Sequence, residues 1–175
     1  VAVAIGRLMP QKDYPTMLRA IAESGPDLRL LVLGDGMLAA ELEACARDLG
    51  LSDRVAFLGF QSNRFDYLVR ADLFLLSSIT EGFPNSLIEA VTAGIPAIST
   101  DCAGGGAREI LGQEYPDRIV PVGDYRALSE KIGTVLGPRH GNEAINDSEL
   151  DLTNKIAKRY HIDQVVDAFL ERAAG

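Results

Sequence analysis

Six short apolar runs alternate with amphipathic segments along most of this chain, and that alternation constrains the fold more than any other feature. The runs are almost continuously apolar, which is typical of parallel strands covered on both faces. They are Val1–Ile5, Leu28–Leu33, Val55–Leu58, Leu73–Leu76, Pro96–Thr100 and Arg118–Val120. Amphipathic segments predict helices over Tyr14–Glu23, Leu38–Leu49, Arg64–Arg70, Ser86–Ala93 and Asp124–Leu136. This order predicts an α/β fold: a doubly wound parallel sheet of about six strands with helices on both faces, in a single domain.

The regular alternation stops near Gly137. The stretch Gly137–Asp151 is polar and predicts a loop, followed by a helix over roughly Leu152–Arg159 and a final amphipathic helix over His161–Arg172. At the other end, Val1 already belongs to an apolar run. We therefore expect the chain to be part of a longer protein, with a segment before Val1.

Composition narrows the class of partner. The 175 residues include 17 Lys and Arg against 25 Asp and Glu, a formal net charge of −8. Because nucleic-acid backbones attract an excess of cations, this charge argues against a nucleic-acid partner, although a small anion can still bind locally. No apolar run approaches the roughly 18 residues that span a membrane. Cys45 and Cys102 match no metal or redox spacing and suit buried thiols, so we expect a cytoplasmic protein.

Ligands of open α/β sheets bind at the carboxyl ends of the strands, at the junctions where a loop leads from a strand into the next helix. After the first strand, Gly6 permits a tight turn, and Asp13 is placed to cap the following helix. Arg7 and Lys12 would then lie beside a helix N-terminus, an arrangement suited to an anion. The alternative is that both are solvated surface cations.

Three later strand-to-helix junctions contain glycine. Gly34-Asp35-Gly36-Met37-Leu38-Ala39 matches a dinucleotide fingerprint, with Asp53 as the later acid, but it follows the second strand, and a tight turn is the alternative. In the stretch Thr80–Ala90, a Gly/Pro loop leads into a helix near Ser86, whose amides and dipole favour a diphosphate. Three glycines at Gly104–Gly106 allow close backbone approach, which favours a ligand over a simple turn. Arg108 and Glu109, which follow them, could instead begin a solvated helix.

Two carboxylates lie in the junction Thr80–Ala90. Glu81 lies in the Gly/Pro loop, where a carboxylate makes sense if it accepts hydrogen bonds from sugar hydroxyls. Glu89 has two interpretations, because Ser86-x-x-Glu89 is also a capping box.

Together these strings resemble the donor-binding, C-terminal half of the group 1 (family 4) retaining glycosyltransferases of GT-B fold. The resemblance runs from Val1 to about Leu136 and includes Gly6-Arg7-Leu8 with Lys12, Gly34-Asp35-Gly36, Val55–Gly59, Glu81–Ala90 and the Asp101–Glu109 stretch. Glu81 and Glu89 correspond to the E-x7-E motif of the family. Asp13 departs from the pattern, since the family usually has Gly after this Lys; a carboxylate pointing inward would weaken donor binding.

The resemblance implies a role for each residue. Gly6 would shape the site, and Arg7 and Lys12 would hold the donor diphosphate and stabilise the leaving group without a metal or cofactor. Glu81 would contact the transferred sugar and, with Arg7 and Lys12, form the catalytic set, while Glu89 would contact the ribose. Backbone groups of Gly82, Phe83, Pro84, Asn85, Ser86 and Leu87 would meet sugar and phosphate, and Phe57, Leu58 and Gly59 would flank the base.

The resemblance also implies partners. Residues 1–175 would be a Rossmann-like nucleotide-sugar domain, with UDP as the expected nucleotide, and a missing N-terminal domain would bind the acceptor. A lipid-linked acceptor would bring the protein to the inner face of the membrane. Two other functions stay open at this point: a non-catalytic nucleotide-sugar sensor and a dinucleotide-dependent oxidoreductase domain.

Overall fold

The computed structural model describes residues 1–25, 27–112 and 114–137. Its strands are β1 (Ala2–Ile5), β2 (Leu30–Leu33), β3 (Val55–Phe57), β4 (Leu73–Leu76), β5 (Ala97–Thr100) and β6 (Ile119–Val120). All six predicted strands are confirmed, with ends that differ by at most two residues. The helices predicted at Leu152–Arg159 and His161–Arg172, and most of the predicted loop Gly137–Asp151, lie outside the described residues.

Each strand is followed by one α-helix in sequence order. They are α1 (Tyr14–Glu23), α2 (Ala39–Asp48), α3 (Arg64–Leu68), α4 (Asn85–Thr92), α5 (Gly106–Leu111) and α6 (Tyr125–Leu136). Helix α5 was not among the predicted helices, and only a helix start at Arg108 and Glu109 was considered, because six residues that begin at a glycine carry too little periodicity to stand out. Helix α3 ends two residues earlier than predicted, where the amide of Ala71 turns back to the carbonyl of Leu68.

The strands form one parallel sheet in the order β3-β2-β1-β4-β5-β6. The first three strands progress outward in one direction and the next three in the other, so β1 and β4 are neighbours at the centre. In an open α/β sheet, this reversal opens a crevice beyond the carboxyl ends of the two central strands. The predicted doubly wound α/β fold is therefore confirmed, and it places the ends of β1 and β4 side by side.

A hydrophobic core lies on each face of the sheet. Alternate residues of β1 point to opposite sides: Ala2 and Ala4 pack with α1, α2 and α6, whereas Val3 packs with α3, α4 and α5. Side chains such as Leu18 and Phe74 are fully buried, and burial of a side chain of this size contributes about 1.5–3 kcal/mol. The two cores hold the strand ends rigidly beneath the loops that follow them.

Backbone contacts join the loops after β1, β2 and β3. Gly34 has a φ of +139°, and a Cβ on it would lie 2.1 Å from the carbonyl oxygen of Gly6. A Cβ on Gly36 would lie 2.3 Å from the carbonyl oxygen of Leu8. The amide of Gly34 also donates to the carbonyl of Gly59 at 2.7 Å. These contacts give the Gly34-Asp35-Gly36 string a packing role, in agreement with the tight-turn interpretation.

Replacing Gly36 by Ala is expected to lower the free energy of unfolding by about 1–3 kcal/mol, because a methyl group would be forced against the Leu8 backbone. Urea unfolding would measure it. The matched control is Gly133→Ala, in the exposed part of α6 with open space around the site, where we expect a gain of about 0.5–1 kcal/mol. Equal effects of the two substitutions would contradict the packing role of Gly36.

Candidate active site

A cleft of about 550 Å³ opens at the carboxyl edge of the sheet. Its walls come from the ends of β1 and β2, the loop after β3 and the start of α3. The lining residues are Ile5, Gly6, Arg7, Leu33, Gly34, Asp35, Phe60, Gln61 and Arg64. This is the edge at which the sequence predicted the ligand, and both Gly6 and Arg7 of the predicted set lie in its wall.

Lys12 is placed by a short 3-10 turn, Pro10–Lys12, that precedes α1. The turn ends at Asp13, which has a φ of 44° and is the one non-glycine residue with positive φ in the described ranges. The Asp13 carboxylate accepts a bond from the amide of Thr16 at 3.4 Å and so caps α1. Asp13 thus takes a backbone conformation that glycine would adopt easily, and its charge is directed to the helix end.

Lys12 and Glu81 form an ion pair across the junction of β1 and β4. The ammonium of Lys12 donates to Oε1 of Glu81, and the hydroxyl of Ser78 donates to the same oxygen at 2.8 Å. The side chains of Lys12 and Glu81 are only 18% and 15% exposed. Two bonds to the Lys12 turn, from Ser77 Oγ to the Lys12 carbonyl and from the Ile79 amide to the Gln11 carbonyl, fix it to the end of β4. Two residues predicted as catalytic therefore touch each other.

The glycines after β5 support the loop that carries Glu81. The amide of Glu81 donates to the carbonyl of Ala103 at 2.8 Å, and a Cβ on Gly104 would lie 2.0 Å from the Glu81 carbonyl oxygen. A Cβ on Gly106 would lie 2.4 Å from the carbonyl oxygen of Gly82. The prediction that another group closely approaches these glycines is confirmed. The group that approaches them is the backbone of Glu81 and Gly82, not a ligand.

Gly6 makes room for its neighbours. A Cβ at this position would lie 3.2 Å from Cε of Lys12 and 3.3 Å from the hydroxyl of Tyr14. That hydroxyl donates to the carbonyl of Gly6 at 3.0 Å. Burial, with the nearby charge of Glu81 as a smaller cause, raises the pKa of Tyr14 above its usual range. Arg7 follows with an exposed side chain on the cleft wall.

The Gly/Pro loop leads into α4, as predicted. Gly82 and Phe83 are exposed, Pro84 is buried, and Asn85 begins the helix with an exposed side chain. The amide of Leu87 donates to the carbonyl of Pro84 at 3.0 Å, and the Leu87 side chain is fully buried. Helix geometry directs the earlier amides, those of Asn85 and Ser86, out of the N-terminal end. A contact from Leu87 to a ligand stays a prediction and would have to share an amide that is already bonded.

Glu89 forms an ion pair with Arg64, which was not predicted as a site residue. The guanidinium of Arg64 donates from Nε to Oε2 of Glu89 at 2.8 Å and from Nη2 to Oε1 at 2.7 Å. The capping box with Ser86 is wrong, since no side chain caps α4. Arg64 was predicted only as the start of a helix, and nothing in the sequence marks a pairing of residues 25 positions apart.

The loop after β3 presents other residues to the cleft than those predicted. Phe57 packs against the core on one face of the sheet and Leu58 against the core on the other. Gly59 uses its carbonyl to accept from Gly34, so a contact of Phe57, Leu58 or Gly59 with a base stays a prediction. Phe60 and Gln61 line the cleft instead, and the ring of Phe60 is 71% exposed. A large apolar residue three positions after the end of β3, in a loop, was the available signal.

The described ranges contain no group of three or more His, Cys, Asp or Glu residues arranged to hold a metal ion. In the same ranges, no helix has the length and apolar character needed to cross a membrane.

A family model described as "Glycosyl transferases group 1" matches residues 1–147. The chain belongs to the group 1 glycosyl transferases. This confirms the resemblance and removes the dinucleotide-dependent oxidoreductase as an alternative.

LpsE of Rhizobium meliloti, named as a lipopolysaccharide core biosynthesis glycosyltransferase, is 36% identical over an alignment of 182 residues that covers 99% of this chain and 49% of LpsE. N-acetylgalactosamine-N,N'-diacetylbacillosaminyl-diphospho-undecaprenol 4-alpha-N-acetylgalactosaminyltransferase of Campylobacter jejuni is 34% identical over 77% of this chain and 36% of its own length.

Solved structures that include a galactosyltransferase share this fold. The outer core galactosyltransferase WaaB superposes with a TM-score of 0.77 at 25% identity, covering 90% of this chain and 44% of WaaB. HepE of Anabaena in complex with UDP-glucose superposes with a TM-score of 0.81 at 22% identity, covering 99% of this chain and 48% of HepE. The group 1 chain described here therefore spans half or less of the length of each of these four proteins.

The raised pKa of Tyr14 predicts a pH dependence of stability. An unfolded tyrosine loses its proton near pH 10, whereas folded Tyr14 keeps it to higher pH, so stability is lost as the pH rises above about 10. The variant Tyr14→Phe has no such proton, and its free energy of unfolding should fall less steeply with pH than that of the unsubstituted chain, by up to about 1.4 kcal/mol per pH unit. Chemical unfolding between pH 9 and 11.5 measures both slopes. The control Tyr125→Phe should leave the slope closer to the original, and equal slopes with and without Tyr14 would contradict the assignment.

Proposed function

We propose that residues 1–175 bind the nucleotide-sugar donor of a glycosyltransferase, with a UDP-sugar as the donor. An N-terminal domain beyond this chain would bind the acceptor, and the two together would transfer the glycosyl group with retention of configuration. The observation that carries the proposal is the Lys12–Glu81 ion pair at the crevice between β1 and β4, with Arg7 on the adjacent wall. Family membership supports the reaction class.

The ion pair fits a ligand that has both a diphosphate and a sugar. The ammonium of Lys12 has three N–H donors, so it can bond a phosphate oxygen while it keeps its bond to Glu81. On Glu81, Oε1 already accepts from Lys12 and Ser78, which leaves Oε2 for a sugar hydroxyl. One ligand can therefore use both partners if its hydroxyl-bearing ring is attached directly to its phosphate, as in a nucleotide sugar.

The cations would act on the leaving group. As the bond between sugar and phosphate breaks, negative charge grows on the nucleoside diphosphate, and Arg7 and Lys12 would stabilise that charge electrostatically. The amides at the start of α4 would add the positive end of a helix dipole. These groups perform the neutralising role that a bound cation has in other phosphate sites, so we expect donor binding without a metal or other cofactor.

Relatives support the choice of donor and acceptor. HepE has been solved with UDP and with UDP-glucose, which makes UDP the first nucleotide to test. The Campylobacter relative is named for a diphospho-undecaprenol substrate, which supports a lipid-linked acceptor for the whole protein. With such an acceptor, the protein would work at the cytoplasmic face of a membrane.

The first experiment is a thermal-shift panel of the chain with UDP, GDP, ADP and NAD, followed by UDP-glucose and UDP-N-acetylglucosamine. We expect the largest stabilisation by UDP and UDP-sugars, because ligands that bind the native state raise its apparent stability. Stabilisation by NAD alone, or by none of these ligands, would refute the proposal. Binding of UDP-sugars without transfer by the whole protein would favour the sensor.

Substitutions then test the ion pair. Lys12→Ala should weaken UDP binding about tenfold or more, since a charged hydrogen bond to phosphate is lost. The matched control is Lys131→Ala, which removes a lysine that pairs with Asp117 at 3.2 Å away from the cleft and should leave UDP affinity unchanged. Calorimetric titration measures both.

The variant Glu81→Gln separates the sugar from the phosphate. It frees Lys12 from its carboxylate partner, so UDP should bind at least as tightly as to the unsubstituted chain, whereas the extra affinity for UDP-sugar over UDP should fall. Equal weakening of UDP and UDP-sugar would contradict the assignment of Glu81 to the sugar.

A further inference from the structure

Arg64 holds Glu89 through both oxygens of its carboxylate. The two bonds, 2.8 Å from Nε and 2.7 Å from Nη2, join one edge of the guanidinium to the carboxylate in a bidentate pair. A bidentate pair fixes the orientation of both planar groups, which a lysine cannot do. The hydrogen bond and charge of Glu89 also raise the pKa of Arg64.

The pair joins the cleft wall to the helix that carries Glu89. Arg64 is the first residue of α3, follows the loop of Phe60 and Gln61, and itself lines the cleft. Glu89 lies in α4, one helix turn beyond the residues whose amides point out of its N-terminus. The ion pair thus bonds the first residue of α3 to the helix at the proposed phosphate end.

The geometry leaves Glu89 able to bind a second group. An ionised carboxylate has about four acceptor directions, and the guanidinium uses one on each oxygen. The two directions that remain lie one on each oxygen, so the carboxylate can accept from two neighbouring hydroxyls. A vicinal diol, such as the 2′,3′-diol of a ribose, presents two donors at a suitable separation.

We propose that Arg64 is a positioning residue that holds Glu89 in the orientation needed to accept hydrogen bonds from the ribose diol of the nucleotide. This inference rests on the proposed nucleotide-binding function and adds to it the residue that determines recognition of the ribose. Arg64 acts through Glu89 and does not itself bind the diphosphate.

The experiment compares three ligands on four proteins. Calorimetric titration measures the Kd of UDP, 2′-deoxy-UDP and inorganic pyrophosphate with the unsubstituted chain and with Arg64→Ala, Arg64→Lys and Arg108→Ala. Arg108→Ala is the matched control, because Arg108 also makes a bidentate pair, with Asp101, but lies outside the cleft. Thermal unfolding of each variant checks folding, and Arg64→Lys keeps the charge if Arg64→Ala does not fold.

The unsubstituted chain should bind UDP about tenfold more tightly than 2′-deoxy-UDP, the cost of one hydrogen bond to a charged group. In Arg64→Ala and Arg64→Lys this ratio should fall towards one while the Kd of pyrophosphate stays the same, and in Arg108→Ala all three Kd values should be unchanged.

Three outcomes would overturn the inference while the proposed function stands: binding of UDP with no preference over 2′-deoxy-UDP in the unsubstituted chain, a preserved ratio in Arg64→Lys, or equal weakening of all three ligands in Arg64→Ala. The last would assign Arg64 to the diphosphate. No binding of UDP by the unsubstituted chain would refute the proposed function itself.

Discussion

The loops at the carboxyl edge of the sheet touch one another backbone to backbone, and these contacts position the loops that carry Arg7, Lys12 and Glu81. The loop after β2 lies against the loop after β1 at Gly34 and Gly36, where a Cβ would overlap a carbonyl oxygen. The loop after β5 lies against the Glu81 loop in the same way at Gly104. A side chain at any of these glycines would force the two backbones apart. Glycine lets the loops after β1, β2, β4 and β5 pack closely at one edge of the sheet, at an entropic cost, since glycine loses more conformational freedom on folding than other residues.

Charge in the site is arranged in pairs. Lys12 compensates Glu81, and Arg64 compensates Glu89, so the two carboxylates of the E-x7-E motif are each held by a cation from another element. Glu81 is largely buried, and an unpaired carboxylate there would be costly. The net charge of −8 therefore says little about this edge of the molecule, where Arg7 adds a further cation on the cleft wall.

The sequence predicted the layers of the fold well and the partnerships of the site poorly. Buried parallel strands are recognisable because burial on both faces demands runs such as Leu73–Leu76, and the helices between them are recognisable by their periodicity. The cleft was predicted at the correct edge of the sheet because all the strand-to-helix junctions lie at the carboxyl edge. The Arg64–Glu89 pair was missed because its geometry depends on how α3 and α4 pack, which local sequence does not encode. The close approach of Gly104 and Gly106 was inferred correctly, but its partner is set by strand order, which places β4 beside β5.

The pairing of charges bears on which ligand this site would prefer. A free phosphate gains less from an ammonium that already bonds a carboxylate, and a free sugar gains less from a carboxylate that already accepts two bonds. A nucleotide sugar would bond its phosphate to the two N–H groups of Lys12 that do not bond Glu81, while a sugar hydroxyl would bond Oε2 of Glu81. The ion pair would then stay intact, and neither partner would lose its counter-charge. The same reasoning applies to Glu89, which can accept from a ribose while Arg64 keeps its two bonds. A site built from compensated pairs would thus favour the proposed intact donor over its separate phosphate and sugar.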